Sequence, residues 1–235
     1  MTRHLGLLAP VLLAAALLGC GREGGRARPD TPGPSLRVVQ PRPEQHFGIW
    51  DPVRKLGWVE VLFSKDDPKD LYRIRFQVAD GAPTEVRDIH AALVRKPVEG
   101  SHLIRAWLVA QDDRPAHGAG ATAVVRIHVG DVPRPELPVG PTLIWAGPFG
   151  VARPDDGGTW VDVLVHDPTF GSGARRLRIA WPGAWHERDV RGPLALDSTW
   201  QPGWQAFEAV LLEGSDTAGW IEVPGSRIAH EFEIR

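Results

Sequence analysis

"FGIWDPVRKLGWVEVL", residues 47 to 62, returns 102 residues later as "FGVARPDDGGTWVDVL", residues 149 to 164, aligned without a gap. Phe, Gly, Trp, Val, Val and Leu coincide, and Ile49/Val151 and Glu60/Asp162 are near-equivalents. The echo continues in the same order: "RDI" at 87–89 with "RDV" at 188–190, "GSHLIRAWLV" at 100–109 with "GWQAFEAVLL" at 203–212, and "RIHV" at 126–129 with "EFEI" at 231–234. A period near 100 residues exceeds the roughly 20–50 residues of a solenoid unit. It is the length of a small sandwich domain.

Within each half the apolar residues alternate as they do on half-buried strands. Val59, Val61 and Phe63 share one face, as do Val161, Val163 and Val165; Ile74, Phe76 and Val78 answer to Leu177, Ile179 and Trp181. In the "AWLV" strand Ile104, Ala106 and Leu108 face inward with Phe207, Ala209 and Leu211 as counterparts, while Arg105 and Glu208 point out. Val125, Ile127 and Val129 correspond to His230, Phe232 and Ile234 in the last strand. Turn signals separate these runs, among them Asp66-Asp67-Pro68, Asp80-Gly81, Asp156-Gly157 and Gly171-Ser172-Gly173. No segment sustains a helical period. The pattern predicts an all-β chain of two tandem β-sandwiches, the first over 36–131 and the second over 142–235. Between them "VPRPELPVGP", residues 132–141, carries four prolines and reads as a stiff, extended connector.

Each half resembles an immunoglobulin-like or fibronectin type III-like module, most clearly in "GSHLIRAWLV", which follows a Gly turn and alternates into a loop before a final strand. The paired cysteines of antibody domains are absent, and Tyr72, the only tyrosine, does not occupy the corner position. The resemblance implies an immunoglobulin-like fold and carries no residue-level function.

The amino terminus is of another kind. Arg3 precedes Leu5 to Leu18, an apolar run broken only by Gly6 and Pro10, which is the layout of an export signal. A bilayer-spanning helix needs about 20 apolar residues, and this run is shorter and holds a helix-breaking proline. Two cleavage sites compete: Ala14-Ala15-Ala16 fits ordinary signal removal, while Leu17-Leu18-Gly19-Cys20 resembles the lipobox of bacterial lipoproteins. That resemblance implies a signal peptide over 1–19 and a diacylglycerol thioether on Cys20, with acylation of the new amino terminus. Cys20 is the only cysteine, and a lone thiol in an exported protein is otherwise a reactive liability; lipidation removes it. Two or more acyl chains give stable anchoring at about 0.8 kcal/mol per buried methylene. Gly21, in place of the aspartate that in enterobacterial lipoproteins signals inner-membrane retention, favours the outer membrane of a bacterial envelope. Residues 20–35 then form a lipid-anchored flexible tether, of which "GREGGRARPDTPGP" would reach roughly 20 Å.

The formal net charge of −2, and −3 once residues 1–19 are removed with Arg3, shows no basic excess for collecting phosphates, so no nucleic-acid partner is expected. With no cysteine beyond Cys20, the folded part has neither disulfides nor thiolate metal ligands and must hold by packing. Nine histidines include no His-x-His or His-Glu-x-x-His pattern; His166 and Asp162 share a strand face two pleats apart, which reads as a surface polar pair before a metal site. Ser101 and His102 are strand neighbours whose side chains diverge, and no Gly-x-Ser-x-Gly elbow is present. The acid pairs at 66–67, 112–113 and 155–156 sit in turn-like sequence, where turn formation is the plain reading and loop-bound calcium the other. Neither an enzyme nor a cofactor nor a metal is therefore expected. The ten tryptophans are the remaining feature. Trp58, Trp107 and Trp160 lie on outward strand faces as a possible binding surface, with Trp185, Trp200, Trp204 and Trp220 adding to the second half. Exposed indoles can stack on sugars; a tryptophan repeated in both halves can equally pack on a loop or on the neighbouring domain. The sequence thus points to a lipid-anchored envelope protein acting as a non-catalytic binding or spacer module, with an envelope protein or a glycan as partner.

Overall fold

A computed structural model describes residues 34–48, 57–67, 69–86, 91–117, 120–133, 139–152, 160–167, 175–180, 185–189, 194–195 and 201–235. Only the backbone is described at 160, 186–189 and 194–195. The export segment, Cys20 and the tether up to 33 lie outside these residues, as do 134–138 of the connector.

In the first half β1 (Ser35–Gln40), β3 (Trp58–Asp66) and β6 (Ala91–Arg95) make one sheet, ordered β1-β3-β6. The facing sheet runs β2-β8-β7-β4-β5, from β2 (Gln45–Phe47), β8 (Thr122–Val129), β7 (Gly100–Ala110), β4 (Tyr72–Val78) and β5 (Thr84–Val86). The second half repeats this plan. One sheet is β14-β11-β9, from β9 (Thr142–Gly147), β11 (Trp160–His166) and β14 (Leu194–Ala195). The other is β10-β17-β15-β12-β13, from β10 (Val151–Ala152), β12 (Arg175–Ala180), β13 (Trp185–Asp189), β15 (Gly203–Ser215) and β17 (Ile228–Ile234), with β16 (Gly219–Glu222) paired to the end of β15. The chain is all-β throughout the described residues. In each half the first strand is followed by a short one that crosses to the opposite sheet and runs parallel to the last strand, β2 with β8 and β10 with β17. All other pairs are antiparallel. This strand order is that of an immunoglobulin-like sandwich.

The repeat in sequence is a repeat in register. Ile74 faces Leu108 as Leu177 faces Leu211, and Gly100 faces Val129 as Gly203 faces Ile234. The two-residue alternation has the consequence expected of it. Ile74, Phe76, Ile104, Ala106, Leu108, Val125 and Ile127 pack against Leu36, Val59, Val61 and Phe63 in one core, where the Phe63 and Phe76 rings lie 5.0 Å apart. Leu177, Ile179, Phe207, Ala209, Leu211, Phe232 and Ile234 pack against Leu143, Trp145, Val161 and Val163 in the other. Each buried Val, Leu, Ile or Phe among them contributes about 1.5–3 kcal/mol, so apolar packing holds both sandwiches. One glycine is demanded by geometry: Gly214 has φ +144°, and a Cβ there would sit 2.1 Å from the Gly219 carbonyl oxygen across the β15–β16 turn.

Candidate functional site

The alternation that sends Ile104, Ala106 and Leu108 inward turns Arg105, Trp107 and Val109 outward from the first sandwich. Trp107 and Val109 nevertheless have no exposed surface, because Ile144 and Ala146 of β9 and Leu164 of β11 cover them, with Val124 and Phe149 at the margin. The Trp107 and Phe149 rings stack with centroids 6.4 Å apart at 24°. The two sandwiches therefore meet sheet on sheet in an apolar seam. This corrects the expectation of Trp107 as an open binding surface. The period of two fixes which side an indole leaves the strand, but not what closes over it. Its Nε1 has no hydrogen-bond partner.

Polar residues border the seam. Asp162, 1% exposed, accepts a hydrogen bond from His117 Nε2 at 2.9 Å, and its Oδ1 has no partner. His166 Nδ1 lies 3.2 Å from Thr122 Oγ1. Asp162 and His166 do share a strand face, but each is engaged by a different residue of the first sandwich. No group of three metal-ligating side chains occurs among the described residues. Burial holds the His166 imidazole below its ordinary pKa, against the opposing effects of Thr122 and Asp167.

The repeated motif thus has two environments. On β11, Asp162 and Leu164 are buried in the seam, whereas their counterparts on β3 are Glu60, exposed, and Leu62, half-buried. Trp58 is 60% exposed and Leu93 of the paired strand 68%. The Trp160 backbone pairs with Ala195, and its side chain lies outside the described set. Among the described residues the most open indole is Trp204, 72% exposed. It shares the outer face of β15 with Ala206 and Glu208; Glu208 is opposite Ala180, which is opposite Trp185, itself 47% exposed. Ala229 continues that row on β17; Glu208 in its middle pairs with Arg227, whose guanidinium lies 5.9 Å from the Trp185 ring. Trp220 is engaged otherwise, with Nε1 donating to Asp216 at 3.0 Å and the Arg176 guanidinium 4.2 Å from its ring. The alternation Trp204, Ala206, Glu208 was available in the sequence as a signal for this face.

Ser101 and His102 diverge as expected: His102 Nε2 donates to the Val98 carbonyl at 2.7 Å, and Ser101 points to the other side. There Ser101 Oγ lies 2.9 Å from Nδ1 of His128, whose Nε2 donates to Glu44 Oε2 at 2.6 Å, and His46 stacks on the same imidazole at 4.6 Å. Sequence reading missed this hydroxyl–imidazole–carboxylate row, since 84 residues separate Glu44 from His128. A nucleophilic serine also needs converging donors for an oxyanion, and the backbone around Ser101 belongs to the β7–β8 ladder. The row's evident physical effect is to fasten the turn before β2 onto β8. The acid pairs at 66–67 and 112–113 behave as turn residues, with Asp67 Oδ2 accepting from Tyr72 N at 2.8 Å and Asp112 Oδ1 from Arg114 N at 3.2 Å, while the pair at 155–156 lies outside the described residues.

No family model and no curated protein matches the chain. Among solved structures it is similar to the fibronectin(III)-like modules of Clostridium thermocellum CbhA, with 13% identity over 85% of this chain and 94% of that one and a TM-score of 0.32. A Corynebacterium diphtheriae protein described as membrane anchored has 13% identity, 85% and 58% coverage and a TM-score of 0.30. The Bacteroides ovatus mixed-linkage glucan utilization locus protein SGBP-B, in complex with a heptasaccharide, has 8% identity, 86% and 47% coverage and a TM-score of 0.26. The fold assignment rests on strand order and register.

Proposed function

We propose that this chain is a lipid-anchored protein of the bacterial cell envelope, held by Cys20 in the outer membrane, and that it acts without catalysis as a binding or spacer module. The seam around Trp107 is the observation that carries the reading, because it turns two sandwiches into one body. A fused tandem carries its loops and open sheet faces as a unit, and the tether of residues 20–35 sets its reach. The anchor is tested by replacing Cys20 with Ala and fractionating cells: the variant should leave the membrane pellet, and equal retention of variant and parent would end the lipobox reading.

A second reading is favoured by the Trp204–Trp185 face, where two exposed indoles share one sheet surface with Ala206, Ala180 and the Glu208–Arg227 pair, offering a sugar both stacking planes and polar groups. Trp58 offers a separate platform on the first sandwich. Titration with peptidoglycan fragments and polysaccharides should quench or blue-shift tryptophan fluorescence in the parent and not in the Trp204→Ala variant. A flat response in the parent would leave an envelope protein as the partner class.

A further inference from the structure

Beside the seam the two sandwiches diverge around a cleft of about 520 Å3, bounded by the turn after β4, by Arg105 and by the β9 and β17 edges of the second sandwich. Clefts of this size at domain junctions are common sites for small ligands. Arg105 follows the outward alternation of β7, next but one to Trp107. Its Nη1 donates to the Ala79 carbonyl at 3.1 Å, while its buried Nε has no partner. Burial pushes the guanidinium below its ordinary pKa, and Asp80 opposes this through space without an ion-pair contact among the described residues. A largely desolvated cation lacking a contacting counter-ion is unfavourable. An anion entering the cleft would relieve it.

The opposite wall is aromatic. His230 stacks on Trp145 with centroids 4.5 Å apart, and Phe149 meets His230 edge-on at 5.9 Å. Burial lowers the His230 pKa, so this imidazole presents a neutral ring near pH 7. Arg227, also at the cleft, already pairs with Glu208 and Glu222. Asp80 and Glu231 border the opening and disfavour a second negative charge. We infer that the cleft binds a small monocarboxylate with a flat apolar body, its carboxylate on Arg105 and its body against Phe149 and the His230–Trp145 stack.

The test is calorimetric titration of the full chain with phenylacetate, benzyl alcohol and phenyl phosphate. Phenylacetate should saturate below about 10 mM, at least tenfold more tightly than either other probe. Arg105→Gln should weaken phenylacetate at least tenfold while the melting temperature stays level or rises, because an unpaired buried charge is removed. Ala82→Trp, at a turn position bordering the cleft, should block binding with Arg105 intact. Absence of saturable phenylacetate binding in the parent, equal affinity in Arg105→Gln, or a preference for benzyl alcohol or phenyl phosphate would each overturn the assignment.

Discussion

His117 Nε2 and Asp162 Oδ2 lie 2.9 Å apart across the seam, joining a partly exposed imidazole of the first sandwich to a buried carboxylate of the second. The carboxylate is the costly member, since its Oδ1 has no partner. His117→Ala should therefore destabilise the protein by about 1–2 kcal/mol, mostly by orphaning Asp162. His117→Ala combined with Asp162→Ala should be less destabilised than His117→Ala alone, as urea unfolding of both would show.

Trp107→Ala opens the seam at its centre. The expected cost is about 3–5 kcal/mol, with a single unfolding transition resolving into two as the sandwiches lose their common interface. Trp107→Phe should cost much less, because it keeps the stack on Phe149 and deletes an indole N–H that has no partner. Differential scanning calorimetry distinguishes the two behaviours.

Acid should weaken the fold through His166. Burial lowers its pKa in the folded state below the ordinary 6.5, so below that pH the unfolded chain takes up a proton that the folded chain resists. Stability is thus level above pH 6.5 on this account, and falls as pH drops from there toward the folded pKa. His166→Gln should flatten that part of the stability-versus-pH curve measured by denaturant titration.

The row formed by Ser101, His128 and Glu44 makes a chemical and a structural prediction. A fluorophosphonate should leave Ser101 unlabelled, checked by intact mass. Glu44→Ala should cost about 1–3 kcal/mol by leaving the buried imidazole without its acceptor, whereas Ser101→Ala should cost less.

The inward faces were legible in the sequence because each depends only on local alternation: Ile104, Ala106 and Leu108 fall inside wherever the rest of the chain goes. The seam was not, because its residues obey the same alternation on the outward side and are covered by a partner that no local pattern names. Glu60 and Asp162 make the point. They hold equivalent places in the repeat, yet one meets solvent and the other lies 1% exposed. Arg105 was correctly read as outward, while its cleft arises only from how the two sandwiches diverge. The row at His128 escaped notice because its members come from three separate strands or turns.

The seam joins unlike surfaces, the outer side of β7 and β8 in one sandwich to the outer side of β9 and β11 in the next. A union of unlike faces has no two-fold axis and gives the tandem a polarity. Trp58 and Leu93 stand on the outer face of the β1-β3-β6 sheet, Trp204 and Trp185 on that of the β10-β17-β15-β12-β13 sheet. The two outermost sheets therefore differ in kind, and the tandem cannot be reversed without exchanging one aromatic face for another.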